Sequence, residues 1–519
     1  MRTIGRYAIL GLLGRGGMGV VYKAAMPRTG RVVAVKVLKP SEMLAATADP
    51  ALLRRDFFRE AALMAGIRHP NIAQVLDVDE APAPDGGSGG STGGRPFFVM
   101  EYYCNNLGAL LGEGYRVEEP TRRLGVDQAL SCARQLASAC ARLHHAGILH
   151  RDVKPYNLML AERPPDTCLT GSGQADVLFA DEVKLIDFGL SRLRGEKGPA
   201  RPRGAVVGSP YYAAPEQEAD PESADERADV FSAAVTLFRC LTGRLPQEGL
   251  PASSLRVGLD QRFDAFFARA CHEDRRQRPG SARDLLAELD ALASHWARLR
   301  DTVCALPEDR PPPCASVPPV AALRPAPVLR SGPVRQPLAG ARAAFGLDEL
   351  WRPAACDPER FVVIGQGGLV APGPEDLVAQ GQEGLAGAGE DLVRDRRSGL
   401  VWERGGSAYA MTFAAAQHRA ERLATERHLG IVGWRLPTAQ ELATLLLPEP
   451  DLRQLCLPLA FAPQQRRIWS ADRKSFTAAW YADVEHGFVW WQDLSCEFFA
   501  RCVASVGAGQ GPAERLCPA

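Results

Sequence analysis

Neither sign of charge is in excess: 61 Lys and Arg balance 61 Asp and Glu over 519 residues, so the formal net charge at pH 7 is zero. No basic stripe argues for nucleic acid or an anionic membrane, and any phosphate chemistry has to come from a local site. Cysteine supplies no framework either, because its 13 residues are odd in number and none forms a Cys-x-x-Cys pair. Disulfides and structural zinc are therefore poor expectations. Long apolar runs are also missing, none reaching the ~18 residues a membrane span needs. The short run Tyr7–Leu13 imitates a signal-peptide core, but a glycine-rich loop follows where a small-residue cleavage site would stand, so it reads as a strand.

The length exceeds what one hydrophobic core organises, so two or more domains are expected. Arg6–Leu13 and Val32–Leu38 have the apolar, β-branched bias of strands, with glycines in the turn between them. Asp56–Gly66 has helical spacing, with Phe57, Ala61 and Met64 on one side and Glu60 pointing elsewhere. Ala81–Gly94 has almost nothing to bury and reads as a disordered insertion between two strands. Glu162–Asp181, with Pro164-Pro165 and Gly171-Ser172-Gly173, reads as a surface insertion.

Chemistry concentrates in His150-Arg151-Asp152-Val153-Lys154-Pro155-Tyr156-Asn157, followed by Ile186-Asp187-Phe188-Gly189. These supply a base, a phosphate-binding cation and two oxygen ligands for a metal, in phosphoryl-transfer order. Upstream lie Gly14-Arg15-Gly16-Gly17-Met18-Gly19-Val20-Val21 and Val33-Ala34-Val35-Lys36; downstream lies Ala214-Pro215-Glu216. A γ-phosphoryl group in flight spreads charge over its oxygens, so such a site mainly positions reactants and supplies positive charge. A lone Gly-x-Gly-x-x-Gly also occurs in dinucleotide-binding units, but a β-hairpin ending in Val-Ala-Val-Lys is not that unit.

From about Tyr7 to about Leu292 the chain resembles the eukaryotic-like Ser/Thr protein kinases of bacteria. The resemblance implies a bilobal α+β fold, ATP and Mg2+ as cofactors, and protein substrates phosphorylated on Ser or Thr. It implies that Lys36 holds the α- and β-phosphates and pairs with Glu60 rather than Glu42. Asp152 is then the base and Lys154 the neutraliser of the γ-phosphate, with Asn157 and Asp187 as the metal ligands. Leu13, Gly14, Arg15, Gly16, Gly17, Met18, Gly19, Val20, Val21 and Glu101 complete the nucleotide site. Glu216 with Arg278, and Asp229 beneath the catalytic loop, would act as supports. Ala233-Ala234 departs from the glycine usual there, which bears on helix packing.

In similar kinases an Arg at the position of Arg151 commonly meets a phosphate on the activation loop. Yet Asp187–Glu216 holds no Thr, its hydroxyls being Ser191, Ser209, Tyr211 and Tyr212, and it is already basic. Control by the second domain's ligand, or by kinase dimerisation, is the expectation.

Proline takes over from Pro307 to about Ala343, and residues 299–345 read as a semi-extended linker between a kinase domain at 1–298 (lobes ~1–102 and ~103–298) and a second domain at 346–519. In the latter, Ser398–Glu403, Gly433–Leu442, Ile468-Trp469-Ser470 and Arg501-Cys502-Val503 stand in the order of the Lcl C-terminal domain family, which this part resembles over about 391–505. That implies a C-type-lectin-like α+β fold and a module that binds an unknown ligand or protein. Thr438-Ala439-Gln440-Glu441 has capping-box spacing, and Ile468–Ser470, Ala478–Val484, Phe488–Leu494 and Phe498–Val503 read as strands.

Trp480, Tyr481, Trp490 and Trp491 are either a recognition surface or core; Trp434 and Trp469 read as core. Of Trp490 and Trp491, adjacent on a strand, one should be core and one exposed. His418, His428 and His486 read as solvent-facing or hydrogen-bonded rather than as metal ligands. The expectation is a cytoplasmic Ser/Thr kinase, with a pseudokinase scaffold as the rival; the intact Lys36, Asp152, Asn157 and Asp187 speak against that rival.

Overall fold

A computed structural model describes residues 2–16, 18–47, 49–82, 94–113, 117–162, 181–188, 192–193, 211–220, 222–304, 329–353, 358–365, 368–370, 392–448, 450 and 455–505. The chain forms two units, Met1–Pro307 and Glu308–Ala519.

The first unit opens with a six-stranded antiparallel sheet of β1 (Thr3–Ile4), β2 (Tyr7–Arg15), β3 (Gly19–Ala25), β4 (Val32–Leu38), β5 (Val75–Ala81) and β6 (Arg95–Glu101), in the order β1-β2-β3-β4-β6-β5. Alternate residues Val33, Val35 and Val37 of β4 are buried with Tyr7, Ala24, Phe97 and Val99, the period-2 burial that pins register. The helix Pro50–Ala65 begins well before the expected Asp56. Asp49 caps it, its Oδ1 accepting from the Ala51 amide at 2.8 Å, and Pro50 occupies the first turn, where its missing N–H costs nothing. Phe57, Glu60, Ala61 and Met64 form its buried face.

The remainder of this unit is mainly helical. Val126–His145 packs against Glu226–Thr242 and Ala282–Cys304, and Gln261–Ala270 closes the group. Short strands β7 (Asn105–Asn106), β8 (Ile148–Leu149), β9 (Leu158–Glu162), β10 (Asp181–Leu185) and β11 (Arg192–Leu193) line the loops between them, in a sheet β10-β9-β7 and a pair β11-β8. Glu162 pairs with Asp181, so the expected insertion hangs on an antiparallel hairpin. Its residues 163–180, like 83–93 of the other expected insertion, lie outside the described residues.

In the second unit, β12 (Phe361–Gly365), β13 (Gly368–Val370), β14 (Leu392–Asp395) and β15 (Leu400–Glu403) join the late strand Val503–Ser505 in a five-stranded sheet. The strands β16 (Arg467–Arg473), β17 (Ala478–Asp483) and β18 (Phe488–Asp493) form a second sheet, with Phe413–Glu426 as the main helix. This is the expected α+β class. The strand expected at Phe498–Val503 shrinks to Val503–Ser505, because Phe498 and Phe499 make isolated bridges to Met411 and Ile468 instead. The capping box is present, with Thr438 N donating to Glu441 Oε2 at 2.7 Å and Glu441 N to Thr438 Oγ1 at 3.2 Å.

One expectation needs correction. The linker assignment of 299–345 is too long at both ends. The helix Ala282–Cys304 continues past 298, and Ala341 and Phe345 lie in the second unit's core with Trp402, Leu442, Phe461 and Trp480. Arg330 forms a fork on buried Asp472 at 3.2 and 3.0 Å, and Asp472 also accepts the amides of Val334 and Ala439 at 2.7 and 2.8 Å. Composition could not reveal a carboxylate far along the chain that holds a proline-rich segment. Among the described residues Cys456 and Cys502 are free and buried. Among the described residues no helix is long and apolar enough to cross a membrane.

Replacing Asp472 by Ala should cost about 3 kcal/mol, since it strands buried amides and a guanidinium together. Urea unfolding of the full chain followed by tryptophan fluorescence measures this, and limited proteolysis should then cut near residues 330–334, which the wild type protects.

Candidate active site

The β2–β3 hairpin is closed by the Gly16 amide donating to the Gly19 carbonyl at 2.8 Å. A Cβ on Gly19 would stand 2.6 Å from the Val37 carbonyl oxygen, so only glycine lets β3 lie against β4 there. Around Gly14 nothing comes within 4 Å of such an atom, which leaves open space over the hairpin. Leu13 is 44% exposed and Val21 is half-buried opposite Lys36 in register. Arg15 is exposed and Met18 half-buried, while Val20 is buried. Gly17 lies outside the described residues.

Lys36 Nζ sits 2.6 Å from Glu60 Oε1 and 3.2 Å from Asp187 Oδ1. Burial opposes its charge, but the carboxylates of Asp187 and Glu60 more than offset that and hold it above the ordinary lysine range. Glu42, the other candidate partner, lies on a separate short helix, Glu42–Thr47. The Glu101 carboxylate is engaged by the Tyr103 hydroxyl at 2.6 Å and by Arg31 at 3.5 Å.

Asp152 is buried, and Lys154 Nζ lies 2.8 Å from its Oδ2. Asn157, at the end of the 3-10 turn Pro155–Asn157, donates its Nδ2 to the Asp152 carbonyl at 2.7 Å and to Oδ2 at 3.0 Å, which turns its side-chain oxygen elsewhere. The Ile186 amide donates to the Asn157 carbonyl at 3.0 Å, and a ring nitrogen of His150 lies 3.1 Å from the Ile186 carbonyl. These bonds tie the segment of Asp152 and Asn157 to that of Asp187. Arg151 and Asp187 have φ of 69° and 66°, a left-handed conformation uncommon for such residues.

Asp229 stabilises this backbone. Its two oxygens accept the amides of His150 and Arg151 at 2.9 and 2.8 Å, and His144 Nε2 lies 2.8 Å away. Burial alone would raise its pKa, but His144 and these amides hold it below the ordinary aspartate value. Glu216 meets Arg278 in a fork at 2.7 and 2.9 Å. Sequence reading missed His144, and also Gln217, whose Nε2 donates to the Arg151 carbonyl at 3.0 Å; adjacency to Glu216 was the available signal. It also missed Asn71, which donates to Gln135 at 2.8 Å and to the Val183 carbonyl at 3.0 Å, under β10. Ser191 and Ser209 lie outside the described residues.

One carboxylate and one amide oxygen turned from their own loop are a donor set that suits a hard cation such as magnesium. The half-buried lysine held by two carboxylates and the glycine hairpin with open space suit a polyphosphate.

In the second unit Trp434, Trp469, Trp480 and Tyr481 are all buried, so Trp480 and Tyr481 belong to the core and not to a recognition surface. Trp490 and Trp491 are both half-buried, not divided between core and solvent. His418 is exposed beside Glu421, His428 is half-buried, and His486 is buried on Asp483 at 3.0 Å.

Residues 7–294 match the family model of the protein kinase domain, and residues 391–504 that of the Lcl C-terminal domain. The chain is 30% identical over 301 residues to the probable serine/threonine-protein kinase PknB of Bifidobacterium longum, covering 55% of this chain and 39% of that protein. It is 34% identical over 251 residues to the serine/threonine-protein kinase Pkn1 of Myxococcus xanthus, covering 48% and 31%. The match thus spans well under half the length of these relatives. Among solved structures, the PknI kinase domain of Mycobacterium tuberculosis is 26% identical, with 56% of this chain and 97% of that chain covered and a TM-score of 0.38.

Asp229→Asn should lower stability by about 2 kcal/mol at neutral pH, since it leaves a buried amide without its acceptor. A carboxylate with a depressed folded pKa contributes stability that is present above its ordinary value of 3.8 and is lost as pH falls through the lower folded value. The gap between wild type and variant in urea melts should therefore narrow on acidification below that value.

Proposed function

The chain belongs to the protein kinase domain family, and from that premise we propose that it transfers the γ-phosphoryl group of ATP to Ser or Thr hydroxyls of proteins. The observation that carries this reading is the contact of Lys36 with both Glu60 and Asp187, at 2.6 and 3.2 Å. It joins a helix, a strand and a loop in the arrangement a phosphate-positioning lysine needs. Lys36 binds the nucleotide's phosphates, and Glu60 keeps it oriented in a desolvated setting. The glycines of the β2–β3 hairpin admit the phosphates, with Leu13 and Val21 on the base. Asp152, held by Lys154 and Asn157, accepts or orients the substrate hydroxyl proton, and Lys154 faces the transferred group. Asn157 and Asp187 would hold Mg2+, which when bound neutralises charge developing on the phosphate oxygens.

The site belongs where ATP is made, so the kinase unit is placed in the cytoplasm. The second unit is read as a binding module that recruits a substrate or senses a signal, and ligand binding there or kinase dimerisation as the control.

Purified protein given ATP and Mg2+ should phosphorylate itself or a basic protein on Ser or Thr. Asp187→Ala should lower turnover by roughly 10²–10³-fold or more, with the fold unchanged by circular dichroism. Asp152→Asn should do likewise. Full turnover in Asp187→Ala, or none in the wild type across several acceptors, would favour a scaffold instead.

A further inference from the structure

Where β16 turns into β17, three cations lie on aromatic rings instead of carboxylates. The Arg335 guanidinium stands 3.8 Å from the Phe476 ring centroid, Arg473 stands 5.0 Å from Phe413, and Lys474 Nζ 3.0 Å from Trp491. Among the described residues none of the three has a carboxylate within ion-pair distance. Elsewhere in the unit, recessed arginines are paired: Arg419 with Glu403, Arg435 with Glu441 and Arg467 with Asp483. Burial pushes the Lys474 pKa down, with nothing to offset it. The carboxylate next to the turn, Asp493, is engaged by the amide and hydroxyl of Ser495, both at 2.9 Å.

The cations are not on one face. Arg473 lies with Phe413, which packs edge-on against Trp469, whereas Lys474 follows it in sequence and lies on Trp491, the register partner of Trp480. Arg335 is a bridge partner of Arg473 and reaches the turn itself. At that turn, between the end of β16 and the start of β17, Phe476 is 74% exposed. A ligand bound to one face would use only part of this set. A surface that the tip penetrates meets all of it, with the ring among acyl chains and the cations on either side at the level of anionic headgroups.

We propose that the tip of the β16–β17 hairpin, Phe476 with Arg335 over its ring and with Arg473 and Lys474 where β16 ends, docks the second unit on an anionic lipid surface. The zero net charge does not oppose this, because screening confines each cation's reach to about 10 Å and only the local cluster is felt. With three cations and one inserted ring the attachment is weak, reversible and salt-sensitive.

The test is sedimentation of the full chain with vesicles of phosphatidylcholine alone, or of phosphatidylcholine mixed with phosphatidylglycerol. The wild type should pellet with the mixed vesicles only, and less as salt rises. Neutralising one cation, as in Arg335→Gln, should weaken partition about fivefold, and neutralising all three should abolish it. Phe476→Ser removes a side chain that supports no core, so it keeps the test valid if the triple variant misfolds; it too should release the protein. Absence of pelleting with mixed vesicles overturns the proposal, as does pelleting that survives both the triple variant and Phe476→Ser. If poly-glutamate binds instead, with the same sensitivity and without vesicle binding, the tip serves an acidic protein and the lipid reading falls.

Discussion

One buried carboxylate, Asp229, takes the amides of both His150 and Arg151. Everything proposed for the active site hangs on that arrangement. A left-handed Arg151 costs of order 1–3 kcal/mol, and it persists because two bonds from a helix below over-determine it. With the loop so fixed, Asp152, Lys154 and Asn157 can bond one another at 2.7–3.0 Å without searching for a conformation. The Ile186 amide then carries the constraint across to Asp187, and Asp187 carries it to Lys36 and the sheet above.

The second unit solves the same problem in the same way. Its strands are short and much of its chain is irregular, so amides must find acceptors outside any ladder. Asp472 takes two, from Val334 and Ala439, and Glu403 accepts the Cys502 amide at 2.7 Å while paired with Arg419. Asp483 takes those of Glu485 and His486 at 3.1 and 2.9 Å. Each of these buried carboxylates is paired with a cation, so its desolvation is offset by charge as well as by hydrogen bonds.

The kinase-like site was legible because its residues come as spaced phrases that constrain one another: Lys36 with Glu60, Asp152 with Lys154 and Asn157, Glu216 with Arg278. What escaped notice lacked such phrasing. Apolar spacing alone starts the helix Pro50–Ala65 at Asp56, whereas the signal that sets its start is the Asp49-Pro50 cap. Proline content assigned residues 329–345 to the linker, yet Arg330 belongs to Asp472, 142 positions on. Trp480 and Tyr481 point to opposite faces of β17, and alternation would expose one of them. Both are buried because both faces are covered, one by the core of Phe345 and Trp351, the other by Trp469 and Phe498. An indole announces its volume in the sequence, but not how many sides of its strand are enclosed.

Charge shows the same gap between count and placement. Lys36 and Lys154 are matched by carboxylates of their own chain, so an incoming anion must compete with Asp187 or Asp152 for them. Arg335, Arg473 and Lys474 are matched by rings, which lower the energy of a cation through the quadrupole without cancelling its charge. The field of a cation over an aromatic face still reaches outward, whereas that of an ion pair closes on itself. Two populations of basic residues, equal in a composition table, are thus fitted for different tasks: one for holding geometry in a closed cleft, the other for meeting a charged surface from outside.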